Sequence, residues 1–410
     1  MKKIYLFFII CLSISTTGAQ TTSISDSATI SLITCSPGPE VYSKFGHTAI
    51  RIKDPSNRID VVFNYGIFSF ETANFYYKFI KGETDYQLGV YDTNFFLPEY
   101  AARNSMVWEQ VLNLTIAEKR KLINNLLDNY KPENRIYRYN FVFDNCSTRP
   151  RDKILSSING YVQFKPAKEL NTFRQWIGVY VGTNTWLKLG IDVIFGMDAD
   201  KQATQNESMF LPEQLMANFQ DAEIYTFNNQ HRKLIEQDTK ILVNKKDEKE
   251  EIESFLDNPM IISSVLLLFG ILITLWDIKR KLHFKLFDTV LLILTGFGGV
   301  IAFFLTVFST HPLVRLNLNL LWLNPLNLVV AVLLWIRSLR KVLFLYEILN
   351  IVLLVAALVA FALSIQSFNI ATFPIIVLLL LRSSHWFSKA KRRIFHNNEF
   401  KLDRKFFQEK

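Results

Sequence analysis

Hydrophobic and polar positions divide the chain at Asn258. Beyond it, five apolar stretches follow in succession, over 259–276, 286–307, 318–336, 342–365 and 370–381. The first four are long enough to cross a hydrocarbon core of about 30 Å as helices. The fifth contains Pro374 and reaches span length when Phe387 is included. Charged punctuation between the stretches argues against a single buried helical core. Residues 259–387 are therefore expected to form an all-α transmembrane domain of five helices.

Before Asn258 the apolar residues come in short runs bounded by turn formers. The runs 29–34, 47–53 and 59–65 are rich in β-branched residues and read as strands, with turns at 36–39 and 54–57. A helix is expected over 71–81, and strands over 86–91 and 105–114. Thr115 with Glu118 forms a capping box for a helix reaching about Asn129. Residues 138–143 read as a strand, after which Asp144-Asn145 can cap a helix beginning near Cys146. Residues 166–220 mix short helices with loops. An α+β domain over 20–228 is thus expected, then a charged helical linker over 229–258.

The N-terminus carries Lys2 and Lys3, an apolar run over 4–14, and small residues at Thr17 and Ala19. That is the pattern of a secretory signal over 1–19, cleaved after Ala19; an uncleaved anchor would export the same domain. The cations agree. Lys279, Arg280, Lys281 and Lys285 lie between the first two stretches, and Arg337, Arg340 and Lys341 between the third and fourth. Arg382 and a basic tail over 388–410 follow the fifth, whereas the alternate loops hold only Arg315. The positive-inside rule then places the C-terminus in the cytoplasm and residues 20–258 outside it.

Composition follows from this layout. In 410 residues, half are hydrophobic and 20% are charged. A mean hydropathy of +0.15 excludes a purely soluble enzyme, and the polar first part excludes a simple bundle of spans. The net charge of +9 resides mostly in the expected cytoplasmic loops, so the exported domain is mildly acidic and nucleic-acid binding has no support.

Two residues stand out chemically. His47 follows Gly46 at the start of an apolar strand, and a partly buried structural role is the common explanation for such a histidine. Of three cysteines, Cys11 lies in the signal, leaving Cys35 and Cys146 in a potentially oxidising compartment. They either pair as a disulfide or leave a free thiol. Cys146 is expected in the first turn of a helix, where backbone amides lower a thiol pKa and can hold an oxyanion. A thiolate beside an imidazole is the nucleophile–base arrangement of cysteine acyl chemistry. Asn64, with Asp60 as substitute, is the candidate to orient the imidazole. Tyr42, Ser43 and Asn145 are candidate oxyanion or substrate donors. Arg149 and Arg151 are candidates for phosphate or carboxylate oxygens, although solvated helix-face arginines are commoner. Asp192, Asp198 and Asp200 lack a supporting ligand pattern, so capping and solvated loop roles are expected. No metal or organic cofactor is indicated. His311, Asn317, Asn319 and Asn324 form a polar cluster on the outer side of the membrane stretches, expected to face the exported domain and lipid head groups.

The histidine strand precedes the cysteine helix, which resembles the circularly permuted papain-like enzymes of NlpC-like and lecithin–retinol acyltransferase-like type. Leu-Ile-Thr-Cys-Ser-Pro-Gly with Phe-Gly-His-Thr-Ala, Phe-Asp-Asn-Cys-Ser-Thr-Arg, Met-Phe-Leu-Pro-Glu-Gln-Leu-Met and Asn-Leu-Leu-Trp-Leu-Asn-Pro-Leu together resemble the Lnb family of bacterial lipoprotein N-acyltransferases. The resemblance implies a thiol-dependent acyltransferase whose Cys–His pair maps onto Cys146 and His47. It implies a membrane phospholipid as acyl donor and a diacylated lipoprotein as acceptor. An NlpC-like cell-wall peptidase and a non-enzymatic membrane scaffold are the competing expectations; a Cys35–Cys146 disulfide would favour the latter.

Overall fold

The computed structural model describes residues 24–167, 169–228, 230–242 and 255–408. The expected signal over 1–19 and part of the expected linker, 243–254, lie outside the described residues. The N-terminal domain builds β1 (Thr29–Cys35), β2 (His47–Asp54), β3 (Ile59–Ile67), α1 (Phe75–Lys81), β4 (Asp85–Asp92) and α2 (Thr93–Ala102). Then come β5 (Val107–Leu112), α3 (Ile116–Tyr130), β6 (Ile136–Arg138), α4 (Thr148–Ser157), β7 (Tyr161–Gln163), α5 (Phe173–Val181) and α6 (Trp186–Ile194). It ends with α7 (Gln205–Ser208), α8 (Pro212–Gln220), β8 (Glu223–Tyr225), β9 (His231–Lys233) and β10 (Ile235–Leu242).

Seven strands make one sheet in the order β10-β5-β1-β2-β3-β4-β6, and β7-β8-β9 make a small second one. β1 is almost continuously buried because both of its faces are covered. On one face Ile30, Leu32 and Ile50 pack against Leu122 and Leu126 of α3 and Ile154 of α4. On the other, Ile33, Cys35 and Ala49 pack against Phe96 and Tyr100 of α2. The antiparallel register of β1 and β2 sets Cys35 directly opposite His47. The capping box of α3 is present: Thr115 accepts from Glu118 N–H and Glu118 accepts from Thr115 N–H at 2.8 Å.

Two local expectations are corrected. Residues 231–242 are strands, not a helical linker: β10 closes the edge of the main sheet against β5. Its residues Glu236 to Lys240 face solvent, so a charged edge strand carries the same composition as a solvated helix. The expected strand over 138–143 stops at Arg138. Asn140 turns the chain instead: its Oδ1 accepts from Val142 and Phe143 N–H, and its backbone bridges to Asp144.

The helical domain comprises α9 (Pro259–Arg280), α10 (Lys285–Phe308), α11 (Leu326–Leu333), α12 (Arg340–Ala362) and α13 (Thr372–Gln408). Among the described residues, four segments are by length and composition alone apolar enough to cross a membrane: Pro259–Arg280, Lys285–Phe308, Pro312–Leu333 and Arg337–Ala362. The third is not one helix. Two 3₁₀ turns precede α11, and Asn317 and Asn324 accept backbone N–H bonds at the breaks. The fifth apolar stretch opens α13, whose apolar run is cut by Arg382 and which continues through the expected tail. Arg382 is buried between Asp288 (2.6 Å) and Asp277 (3.0 Å), tying α13 to α9 and α10.

The two parts meet along two seams. At the first, Ser309, Thr310 and His311 bond the carbonyls of α1 and the residue after it; His311 Nε2 lies 2.8 Å from Phe79 O. At the second, Asn317 and Asn319 donate to the Asp192, Val193 and Ile194 carbonyls at the end of α6. Asp192 is not in a solvated loop. It is buried, paired with Arg174 and Lys188, and accepts from Asn369 at 2.9 Å. Gly196 lies against the backbone here: a Cβ on it would stand 1.8 Å from Arg315 O. Gly196→Ala is therefore expected to destabilise the junction by about 2–3 kcal/mol. Thermal unfolding in detergent and limited proteolysis check this against Gly190→Ala, whose Cβ would meet nothing within 4 Å.

Candidate active site

The end of the sheet where β1 and β3 finish and β2 begins opens into a cleft of about 560 Å³ lined by His47, Asn64 and Gly66. β2 starts at His47 because Gly46, at φ +76°, makes the preceding turn and lies so close to Cys35 O that a Cβ would stand 2.6 Å from it. β3 places Asn64 beside it, with Oδ1 2.5 Å from His47 Nε2. That bond leaves Nδ1 as the ring nitrogen for the thiol. Tyr100 of α2 stacks on the imidazole, centroids 6.2 Å apart and planes at 17°.

Cys146 sits in the turn just before α4, not inside its first turn. Asn145 causes this: its Oδ1 accepts from Ser147 and Thr148 N–H, and its Nδ2 donates to Phe141 and Phe210 carbonyls. Every polar atom of the Asn145 side chain is thus occupied in holding the turn, which leaves none for an oxyanion. The turn brings Cys146 into hydrogen-bonding reach of His47.

The electrostatics favour an ion pair. Burial pushes the Cys146 thiol up, but the His47 imidazolium, its hydrogen bond, and the backbone N–H groups of Thr48 and Cys146 outweigh burial and bring it below its ordinary 9.0. Burial pulls His47 down, but the Cys146 thiolate, the bonds to Cys146 and Asn64, and the Glu99 charge raise it above 6.5. Cys35 behaves oppositely. Burial pushes its thiol well above 9.0, and both cysteines are free thiols. Cys35 therefore packs as a protonated, apolar neighbour of the pair.

The remaining candidates separate clearly. Tyr42 and Ser43 line the cleft; Ser43 Oγ donates to Glu40 O at 3.0 Å. Asp60 is held by Arg51 at 2.6 Å and by Thr93, away from His47. Arg149 forms a two-pronged pair with Asp144 and lies 3.6 Å over the Tyr137 ring, while Arg151 is buried on Asn206 O. Both arginines brace the turn rather than line the cleft. Asn317 and Asn319 are buried in the junction and Asn324 is buried at the start of α11, so they do not meet head groups.

Gly66 and Tyr100 were missed from the sequence. Gly66 has φ +94°, and a Cβ there would stand 3.3 Å from Cys146 Cβ and 3.9 Å from His47 Cε1. A glycine one residue beyond a strand-borne Asn-Tyr was the one available signal. Asn64→Ala is expected to lower turnover about tenfold to a hundredfold, with KM little changed, because one hydrogen bond orienting the ring is lost. Steady-state kinetics check this, and Asn64→Gln should recover part of the loss.

An α+β domain joined to helices of membrane length defines a membrane protein with a sheet-rich domain outside the bilayer. Residues 17–178 match the Lnb N-terminal periplasmic domain, and residues 249–393 match the Lnb transmembrane domain. The chain belongs to the Lnb family, which is of lipoprotein N-acyltransferase type. The curated proteins and the solved structures gave no match to the chain.

Proposed function

We propose that the protein transfers an acyl chain from a membrane phospholipid, through a thioester on Cys146, to the N-terminal amine of a diacylated lipoprotein. The observation that carries this is the path from the thiol to the membrane. The cleft wall at Phe68 and Phe70 continues by ring contacts through Phe75 to Phe79, which meets His311. Tyr77 of α1 meets Phe304 near the outer end of α10. Tyr76 and Tyr77 are exposed on the same helix, as residues at a membrane–water boundary commonly are. An acyl chain reaching the thiol from the outer leaflet would run along this apolar wall.

Two half-reactions follow. The Cys146 thiolate attacks the ester carbonyl carbon; the C–S bond forms, the ester C–O bond breaks, and the His47 imidazolium protonates the departing lysophospholipid alkoxide. The lipoprotein amine, as free base, then attacks the thioester carbon. The C–N bond forms, the C–S bond breaks, and neutral His47 takes the amine proton, restoring the ion pair. The backbone N–H groups of Thr48 and Cys146, which act on the sulfur, are the candidate donors to a developing oxyanion. A ping-pong order suits two bulky lipids that share one cleft.

The membrane is the inner membrane and the C-terminus is cytoplasmic. α13 begins beside Asp192 of the periplasmic domain, through Asn369, and reaches Lys281 at the far end of α9 through Lys389. The cations of the loops then gather on one side. The test is purified protein in phospholipid vesicles with a diacylated lipopeptide. The lipopeptide should gain one acyl chain in amide linkage as lysophospholipid appears. Peptide cleavage without acylation would instead mark a peptidase.

A further inference from the structure

Aromatic rings line much of the cleft, among them Phe68, Phe70, Phe95 and Tyr100. Against that lining stand two full charges of opposite sign, Glu99 and Arg103. They lie one helical turn apart at the end of α2 and are paired with each other. Arg103 is also held over two rings, 5.7 Å from Tyr42 and 5.5 Å from Tyr100. Tyr100 is the ring stacked on His47, so the guanidinium is two side chains away from the imidazole. Glu99 acts electrostatically on His47, and both charges act on Cys35 beside it. A solvated pair on an open helix face would have neither the ring clamp nor a place in the cleft wall.

We propose that Arg103 and Glu99 form a two-sign subsite, in which Arg103 receives the phosphodiester of the acyl donor and Glu99 the α-ammonium group of the acceptor. This rests on the acyl transfer proposed above and names how each substrate is recognised. A diacyl phospholipid carries its anion a few bonds from the scissile ester, and a lipoprotein N-terminus carries a cation on the reacting nitrogen itself. One cleft must serve both in turn, and it holds one group of each sign. Between turnovers the two side chains neutralise each other. The planar guanidinium matches a phosphodiester with two parallel bonds. After the lysophospholipid leaves, Glu99 draws in the ammonium group. Its side chain is more than half exposed (54%), at the solvent side. There the ammonium loses one proton to water, and the free amine attacks the thioester carbon and passes its second proton to His47.

The test separates the half-reactions, using the full-length protein in maltoside mixed micelles. Loading is read as the acyl adduct on Cys146, from phosphatidylglycerol or from diacylglycerol, which lacks phosphate. Transfer is read as disappearance of the adduct when a diacylated lipopeptide is added. Arg103→Gln is expected to load about tenfold more slowly from phosphatidylglycerol, with a smaller loss from diacylglycerol. Arg103→Lys, which keeps the charge, should recover part of the phospholipid preference. Glu99→Gln is expected to transfer about tenfold more slowly, a larger loss than its loading shows. Equal losses from both donors in Arg103→Gln overturn the anion half of the subsite. Loading and transfer falling together in Glu99→Gln overturn the cation half. Wild-type protein that never gains an adduct fails the acyl-transfer reading itself, a separate result.

Discussion

Replacing Cys146 by alanine is expected to lower acyl transfer about 10⁴-fold or more, to the residual rate that binding and backbone donors alone sustain. The thiolate is the atom that forms and breaks the bond in both half-reactions, so no remaining group substitutes for it. Serine should do little better. Its hydroxyl is far less acidic than a thiol, and the ion pair that stabilises the nucleophile in advance would not form. The substitution should leave the fold intact, because the turn is held by Asn145 and the Arg149–Asp144 pair rather than by the sulfur. Thermal unfolding alongside the transfer assay separates loss of chemistry from loss of structure. A Cys146→Ala protein with near wild-type transfer would rule out the thioester route.

Removing His47 is expected to cost about 10³-fold in transfer, the range of a positioned acid–base group. It should also move the thiol. In the wild type the His47 charge helps outweigh burial, so Cys146 ionises below 9.0. Without the imidazolium only the backbone N–H groups of Thr48 and Cys146 oppose burial, and the thiol pKa rises. Alkylation by iodoacetamide, followed against pH, reads this directly. The wild-type rate should level off below pH 9.0, whereas that of His47→Ala should still be climbing there. Acyl loading has the matching signs. It rises with pH as Cys146 ionises and falls as His47 loses its proton, at a pH above 6.5. The two limbs belong to the pair rather than to either residue alone. An alkylation profile that does not move in His47→Ala would mean that no ion pair exists.

Much of this site was legible before the structure because strands report themselves. The apolar runs at β1, β2 and β3 are bounded by Pro, Gly and Asn, and their antiparallel neighbours leave few ways to place Asn64 near His47. The register that decides the matter is a tertiary property, which is why Asp60 stood as an equal-class substitute until Arg51 was seen to hold it. Asn145 was misjudged because an Asn beside a nucleophile suits an oxyanion donor and a turn-holder alike; only the Phe141 and Phe210 carbonyls distinguish them. β10 was misread because solvent-facing charges look the same on an edge strand and on a helix. The fifth apolar stretch is short by length alone because Arg382 cuts it, and only the packing shows that the cost of this charge is met by two aspartates far away in sequence. The charge pair Glu99–Arg103 gave no signal at all, since i,i+4 pairs are ordinary on helices. Its place in the cleft emerges only from the packing of α2 against β3.

The most direct measurement is the intact mass of the wild-type protein after incubation with phospholipid vesicles, followed by peptide mapping. A gain of one acyl chain on Cys146, removed by neutral hydroxylamine and discharged by a diacylated lipopeptide, is the expected result. No adduct, an adduct on Cys35 instead, or a Cys35–Cys146 disulfide in the active preparation would contradict it.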